Sequence, residues 1–169
     1  TYDWLNAGVP YRLNNSLSIA ENDNNNNPPV LKIEEGAVVQ FPEGKTLNIG
    51  WSNNDANRTG TLEAKGATFT AEDTTKRWDG FNIYNGAGDN MFDSLTVLHA
   101  NRAFEIFSGE KNPTIKNSTI RNAVHGVWVE DVNLNTRIHN NTFDKILSYP
   151  IRIRTIDLDS TLYANTYTN

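Results

Sequence analysis

One nine-residue phrase occurs twice in this chain, and its spacing constrains the fold more than any other feature. The stretch IKNSTIRNA runs from Ile115 to Ala123, and IHNNTFDKI begins 23 residues later, at Ile138. Apolar residues recur at spacings of 23, 23 and 24 residues in three separate columns. The first column is Phe81, Phe104, Val127 and Ile151, the second is Phe92, Ile115, Ile138 and Leu162, and the third is Val97, Ile120, Phe143 and Tyr167. Because chance rarely aligns three columns on one period, the sequence predicts a solenoid of stacked coils.

Short apolar–polar alternations fill the columns, and they indicate strands rather than helices. The repeat also extends towards the N-terminus if the loops between strands are allowed to be longer there. LSIA at Leu17 and LNIG at Leu47 continue the first column, LKIE at Leu31 and LEA at Leu62 the second, and AVVQF at Ala37 and ATFT at Ala67 the third. The insertions at 21–29, 51–58 and 72–77 are polar, as surface loops usually are. We therefore predict an all-β solenoid of about six coils, with three short strands in each coil.

Two further columns of residues repeat with the same period. One lies in the turn between the strands of the Phe92 and Val97 columns, and the other lies in the strand that follows this turn. The turn column is Gly36, Gly66, Ser94, Asn117, Asn140 and Ala164. Gly and Asn tolerate a left-handed backbone best, so this column predicts a tight corner, and stacked Asn side chains there predict an amide ladder. The following column is Thr68, Thr96, Thr119, Thr142 and Thr166, which we expect to point outward. An ice-binding interpretation of this row is disfavoured, because the column beside it is irregular and charged.

The composition and charge of the chain limit the kinds of partner that it can bind. The chain has 169 residues, a formal charge of −5 and no cysteine, so we expect one domain or repeat array without disulfides. The negative charge argues against nucleic acid as a partner, and no apolar run is long enough for membrane insertion. Because the sequence starts at Thr1 without Met or a signal peptide, we expect a processed or excised piece.

The order of motifs resembles the right-handed parallel β-helix repeat proteins. The resemblance rests on LKIEEGAVVQFPEGKTLNIG, GTLEAKGATFTA, WDGFNIYNG, NSTIRNAVHGVWV and HNNTF. Such proteins are common on bacterial and archaeal surfaces and share their architecture with pectate-lyase-like enzymes. The resemblance implies three parallel sheets around a dry core and a secreted or cell-surface location in bacteria or archaea. It also implies an N-terminal cap, which we assign to residues 1–16 with Trp4, Leu5 and Tyr11, ahead of a β-helix over 17–169. The chain stops directly after the last strand, which suggests truncation, a continuing chain or end-to-end self-association.

The outward residues of the Phe81 column suggest a binding face. Alternation sends Tyr84, Glu105, Phe107, Trp128, Glu130, Arg152 and Arg154 towards solvent, and we take these seven as candidate ligand-binding residues. Aromatic faces stack on sugar rings, while Glu and Arg bind hydroxyl groups or uronate carboxylates. The sequence therefore favours a non-catalytic adhesion or glycan-binding module whose partner is a polysaccharide or surface glycan.

Three alternatives remain open at this point. The resemblance to pectate-lyase-like enzymes implies a polysaccharide lyase or hydrolase fragment, with Glu105 and Glu130 in a metal or charge role and Arg152 or Arg154 as base. No compact Asp cluster accompanies them, so no catalytic residue is assigned, and calcium is a cofactor only through that resemblance. The seven residues also fit a stabilising surface ladder, or a structural spacer in a larger protein.

Isolated polar residues add little. The three histidines, His99, His125 and His139, occupy different positions in the repeat, so they predict no metal triad. Three loop aspartates, Asp55, Asp73 and Asp89, lack the spacing of a calcium loop. Asn-x-Ser/Thr acceptor sequences occur at Asn14, Asn57, Asn117 and Asn140.

Overall fold

A computed structural model describes residues 1–21, 27–51, 59–84, 90–107, 113–130, 137–154 and 162–168. Asp55, Asn57 and Asp89 lie outside these ranges, together with most of the loops at 21–29 and 51–58. All the regular structure in the described ranges is β-strand, and no helix there is long and apolar enough to cross a membrane.

The strands form three sheets, and every pairing between strands is parallel. The first sheet is β1 (Tyr2–Trp4), β4 (Val30–Ile33), β7 (Thr61–Lys65), β10 (Met91–Asp93), β13 (Thr114–Lys116), β16 (Arg137–His139) and β19 (Leu162–Tyr163). The second sheet is β2 (Tyr11–Arg12), β5 (Val38–Phe41), β8 (Thr68–Ala71), β11 (Thr96–Leu98), β14 (Thr119–Arg121), β17 (Thr142–Asp144) and β20 (Thr166–Thr168). The third sheet is β3 (Leu17–Ile19), β6 (Thr46–Ile49), β9 (Gly80–Ile83), β12 (Arg102–Ile106), β15 (His125–Val129) and β18 (Tyr149–Ile153).

Each strand pairs with the strand three places later in the chain, as it must when every coil contributes one strand to each sheet. Phe81 aligns with Phe104, and Phe104 aligns with Val127, as the repeat predicted. The predicted parallel β-helix of about six coils is confirmed. One alignment differs from the repeat: Phe92 pairs with Ala64 rather than with Leu62, because β7 extends two residues further into the corner.

The inward residues of the three sheets form one continuous apolar core. Aromatic rings dominate its middle, where Phe81 stacks on Phe104 at 4.9 Å and meets Phe69 edge-on at 4.8 Å. Trp78 is fully buried, stacks on Phe41 at 4.5 Å, and donates its indole N–H to the carbonyl of Leu98. Burial of this apolar surface is the main stabilising term of such a fold.

Residues 1–16 contribute two strands to the sheets. β1 pairs with β4 and β2 pairs with β5, so these strands form the start of the first coil. Trp4 and Tyr11, which we expected to cover the first coil, stack on each other at 4.9 Å and pack against the core, whereas Leu5 is exposed. A separate cap ending at residue 16 stays a prediction.

The corner between the first and second sheets has the predicted backbone. All six residues of its column have positive φ, between 51° at Ala164 and 79° at Gly36. The corner between the second and third sheets holds a second column with positive φ, His99, Asn122 and Lys145, which the sequence analysis missed. Left-handed φ angles strain residues other than Gly and Asn.

The ladder predicted at Asn117 and Asn140 is wrong, and a ladder of polar side chains lies one residue later. Asn117 donates to the Asp93 carboxylate instead of stacking on Asn140. This ladder is formed by Ser118 and Asn141, which are buried, and by the partly buried Asn165. Asn141 Oδ1 accepts the Ser118 N–H at 2.9 Å, and Asn165 Oδ1 accepts the Asn141 N–H at 3.0 Å. The side chain after each left-handed residue turns inward, so it can satisfy backbone groups that the corner leaves unpaired.

The threonine row follows the expected register. Thr68, Thr96, Thr119, Thr142 and Thr166 are successive partners along the second sheet, and all are partly or fully exposed. Beside this row, Arg121 and Asp144 form an ion pair at 2.6 Å.

The second corner offers a test of backbone strain. Lys145 is exposed and has a φ of 52°, whereas Asn122 occupies the same position one coil earlier. We expect Lys145→Asn to raise the free energy of unfolding by about 0.5–1 kcal/mol, since Asn tolerates a left-handed backbone better than Lys. Urea unfolding would measure the change, with Lys65→Asn in the extended strand β7 as control. An equal gain in both variants would contradict the explanation from strain.

Candidate functional site

Two rows of side chains run along the outer face of the third sheet, parallel to the solenoid axis. Strand register defines the axial row, in which each residue pairs with the next: Ser18, Asn48, Asn82, Glu105, Trp128 and Arg152. The second row lies just after the strands, where backbone hydrogen bonds continue the stack: Tyr84, Phe107, Glu130 and Arg154. The structure therefore brings all seven predicted residues together on one face.

Amide and hydroxyl groups form the N-terminal half of the axial row. Asn82 Nδ2 donates to Asn48 Oδ1 at 3.0 Å, and Asn48 Nδ2 donates to Ser18 Oγ at 3.3 Å. These residues are neutral, whereas the rest of the row carries charges and one indole ring. The face is thus polar and uncharged at one end and guanidinium-rich at the other.

Glu105 differs from its prediction, because it is buried rather than exposed. Only 7% of the residue is accessible, since the Arg102 side chain lies over it and donates from Nη1 to Glu105 Oε1 at 2.5 Å. This hydrogen bond raises the pKa of the Arg102 guanidinium, and the charges of Glu105, Glu130 and Asp79 raise it further. Glu105 therefore anchors Arg102, and its outer surface is largely covered.

Trp128 lies between guanidinium groups from the two neighbouring coils. The Arg152 guanidinium lies 3.9 Å from the ring centroid, and the Arg102 guanidinium lies 4.7 Å from it. The indole N–H donates to Glu130 Oε1. Cation–π contacts of this kind contribute about 0.5–1 kcal/mol at exposed sites. The ring is thus a support for Arg152, and a sugar could stack on it only by displacing a guanidinium.

The second row also makes contacts within itself. The rings of Tyr84 and Phe107 stack with centroids 4.8 Å apart, and burial raises the pKa of the Tyr84 hydroxyl. Glu130 Oε2 lies 3.4 Å from Arg154 Nη1, while 73% of the Arg154 side chain stays exposed. By contrast, Arg152 makes no ion pair with any carboxylate in the described part of the chain.

His125 borders the same face. Its ring stacks on Tyr149 at 5.8 Å and meets Trp128 edge-on at 4.9 Å. Burial lowers the pKa of the His125 imidazole, and the charges of Arg102 and Arg152 lower it further. His125 is consequently neutral at pH 7.

A polar groove opens where the second sheet turns into the third, beside the axial row. This corner groove has a volume of about 420 Å³, and its lining consists of Thr46, Asp79, Asn82, Asn101, Arg102, Glu105, Val124 and His125. Asn101 Nδ2 donates to Asp79 Oδ1 at 2.5 Å. Sequence reasoning missed this groove, although Asp79, Arg102 and His125 are spaced by 23 residues and follow the same period.

The lyase interpretation required acidic residues that converge on a metal. In the structure Glu105 pairs with Arg102 and Glu130 pairs with Arg154, so the two carboxylates serve different guanidinium groups. Within the described ranges, no three His, Asp or Glu side chains are grouped so that they could hold a metal ion. The described residues of this face therefore do not fit a calcium site.

Comparison with known families identifies the architecture. Residues 31–166 match the family model described as the right handed beta helix region. The chain belongs to this family. Neither the curated proteins nor the solved structures gave a match to the chain. Membership in the right-handed β-helix family agrees with the three parallel sheets and gives the coil its hand. It assigns no activity, because one architecture carries many functions.

Proposed function

We propose that this chain is a non-catalytic glycan-binding module of a secreted or cell-surface protein, and that the outer face of its third sheet contacts the glycan. The main support is Arg152, an exposed guanidinium held on the Trp128 ring without a carboxylate partner among the described residues. Because no carboxylate among the described residues pairs with this guanidinium, its N–H groups can donate to hydroxyl or carboxylate groups of a ligand.

The axial row gives this face its second useful property. Adjacent strands of a sheet lie about 4.8 Å apart, so the row places its side chains at regular intervals over six coils, with amide groups in one half and Arg152 at the other end. An extended linear polymer lying along the axis would pass one side chain of the row at each coil. Many modest contacts of this kind add up to useful affinity without any deep pocket.

A second candidate function is a structural spacer, and one specific observation favours it. Most of the seven residues contact one another: Tyr84 stacks on Phe107, and Glu130 binds both Trp128 and Arg154. Such a ladder stabilises neighbouring coils without any ligand, by about 0.2–1 kcal/mol for each pair. The two candidates differ in the role of Arg152: in a glycan-binding module its guanidinium contacts the ligand, whereas in a spacer it only packs on Trp128.

Glycan-array screening followed by isothermal titration calorimetry tests the proposal. With the best ligand found, Arg152→Ala should weaken binding about 10- to 100-fold, since hydrogen bonds to charged groups contribute about 1.5–3 kcal/mol. Arg137→Ala is the matched control, because Arg137 is an exposed arginine of the same coil on the first sheet. Equal affinity of the two variants, or no binding by the wild-type chain, would reject the proposal in favour of the spacer.

A further inference from the structure

We infer that the corner groove is a subsite for a neutral sugar unit, which binds through neighbouring hydroxyl groups. This inference rests on the proposed function, because the groove adjoins the axial row through Asn82 and Glu105. Its volume of about 420 Å³ lies within the range of small-molecule sites, about 300–1,000 Å³. Apart from Glu105, no residue that lines the groove was among the seven candidate ligand-binding residues predicted from the sequence.

The charges that line the groove select against acidic sugars. The titratable lining groups are the carboxylates of Asp79 and Glu105, the guanidinium of Arg102 and the neutral imidazole of His125. Arg102 is paired with Glu105 at 2.5 Å, so Asp79 leaves the groove with one excess negative charge. A uronate or sulfate group would meet repulsion there, whereas a hydroxyl group would not.

The hydrogen-bonding groups match a pair of hydroxyl groups. An ionised carboxylate offers about four acceptor positions, and the hydrogen bond from Asn101 uses one position on Asp79. The remaining positions can accept sugar O–H groups, while the Asn101 amide and the Arg102 guanidinium can donate to sugar oxygens. Groups that both donate and accept at short spacing are what a sugar hydroxyl pair requires, since each hydroxyl also does both.

The groove is held in shape by the sheets. Asp79 donates its N–H to the Lys45 carbonyl at 2.8 Å, and Asn101 donates its N–H to the Trp78 carbonyl at 2.8 Å. Arg102 is held by Glu105, which is itself buried. A site whose polar groups are already ordered loses less conformational entropy when a ligand binds.

Calorimetry with soluble polymers tests the inference. A mannan, a β-glucan and a xylan represent neutral glycans, and polygalacturonate and alginate represent acidic ones. We expect the wild-type chain to bind a neutral polymer at least tenfold more tightly than either acidic polymer at low salt. Asn101→Ala and Asp79→Asn should each weaken neutral binding at least tenfold, and Asp79→Asn should also narrow the preference over acidic polymers, because it removes the excess charge.

Asn15→Ala is the matched control, because Asn15 is an exposed asparagine at the first coil whose side chain accepts a local hydrogen bond from the Ser16 N–H. Circular dichroism and urea midpoints confirm that each variant is folded. Unchanged neutral binding in Asn101→Ala and Asp79→Asn, together with lost binding in Arg152→Ala, overturns the subsite and leaves the proposed function intact. If the wild-type chain binds the acidic polymers more tightly than the neutral ones, the subsite is likewise overturned and the proposed function stays intact. No binding of any glycan by the wild-type chain overturns both.

Discussion

Phe81→Ala should lower the free energy of unfolding by about 3–5 kcal/mol, the largest effect we expect from a single substitution in this chain. The ring is fully buried and lies where several aromatic side chains meet. Its ring stacks on Phe104 with the ring centroids 4.9 Å apart. It makes T-shaped contacts with Phe69 and Trp78, with centroid distances of 4.8 Å and 5.3 Å. Removing it leaves a cavity among closely packed rings, which relax only partly to fill the space.

Urea unfolding followed by circular dichroism measures this loss. Tyr167→Ala provides the comparison, since Tyr167 stacks on Phe143 at the last described coil and is 55% exposed. We expect the control to lose less than half as much stability, because water already reaches its ring. A loss below about 1 kcal/mol for Phe81→Ala would contradict the packed aromatic core described above.

Asn141→Ala should destabilise the protein by about 3 kcal/mol, because it leaves several buried polar groups without partners. Asn141 Oδ1 accepts the Ser118 N–H, and Asn141 Nδ2 donates to the Ile115 carbonyl at 2.9 Å and to Asn165 Oδ1 at 3.2 Å. The residue is 1% exposed, so water does not replace these hydrogen bonds. The effect thus exceeds what the lost side-chain volume alone would give.

The neighbouring residue supplies a sharp control for this prediction. Asn140 is exposed and has a φ of 56°, so Asn140→Gly should be neutral or slightly stabilising by the same measurement. The pair therefore separates the buried ladder from the strained corner, although the two residues are adjacent. Similar losses in both variants would show that the ladder contributes little.

Much of the fold was predictable because one physical rule repeats in every coil. Alternate residues of a strand face opposite sides, so the columns at Phe81 and Val97 predicted the inward residues and the pairing. The need for a left-handed residue at a tight corner predicted the column from Gly36 to Ala164. Each of these inferences uses only local geometry and the period.

The corners limited the prediction of the site. Alternation fails there: Ala103 and Gly126 are buried next to inward neighbours, and a Cβ on Gly126 would approach the Pro150 carbonyl oxygen to 2.2 Å. The groove lined by Asp79 and Asn101 forms in this region, where no simple rule gives the direction of a side chain. The burial of Glu105 depends on the path of the long Arg102 side chain, which the period does not encode.

The in-register parallel pairing has a consequence for how such a chain changes length. Every coil contributes one side chain to each row. Adding or removing one coil of about 23 residues therefore lengthens or shortens each row by one residue. The other coils keep their register, so the outer face lengthens in discrete increments. Under the proposed function, the length of polymer that the outer face can contact would therefore follow the number of coils.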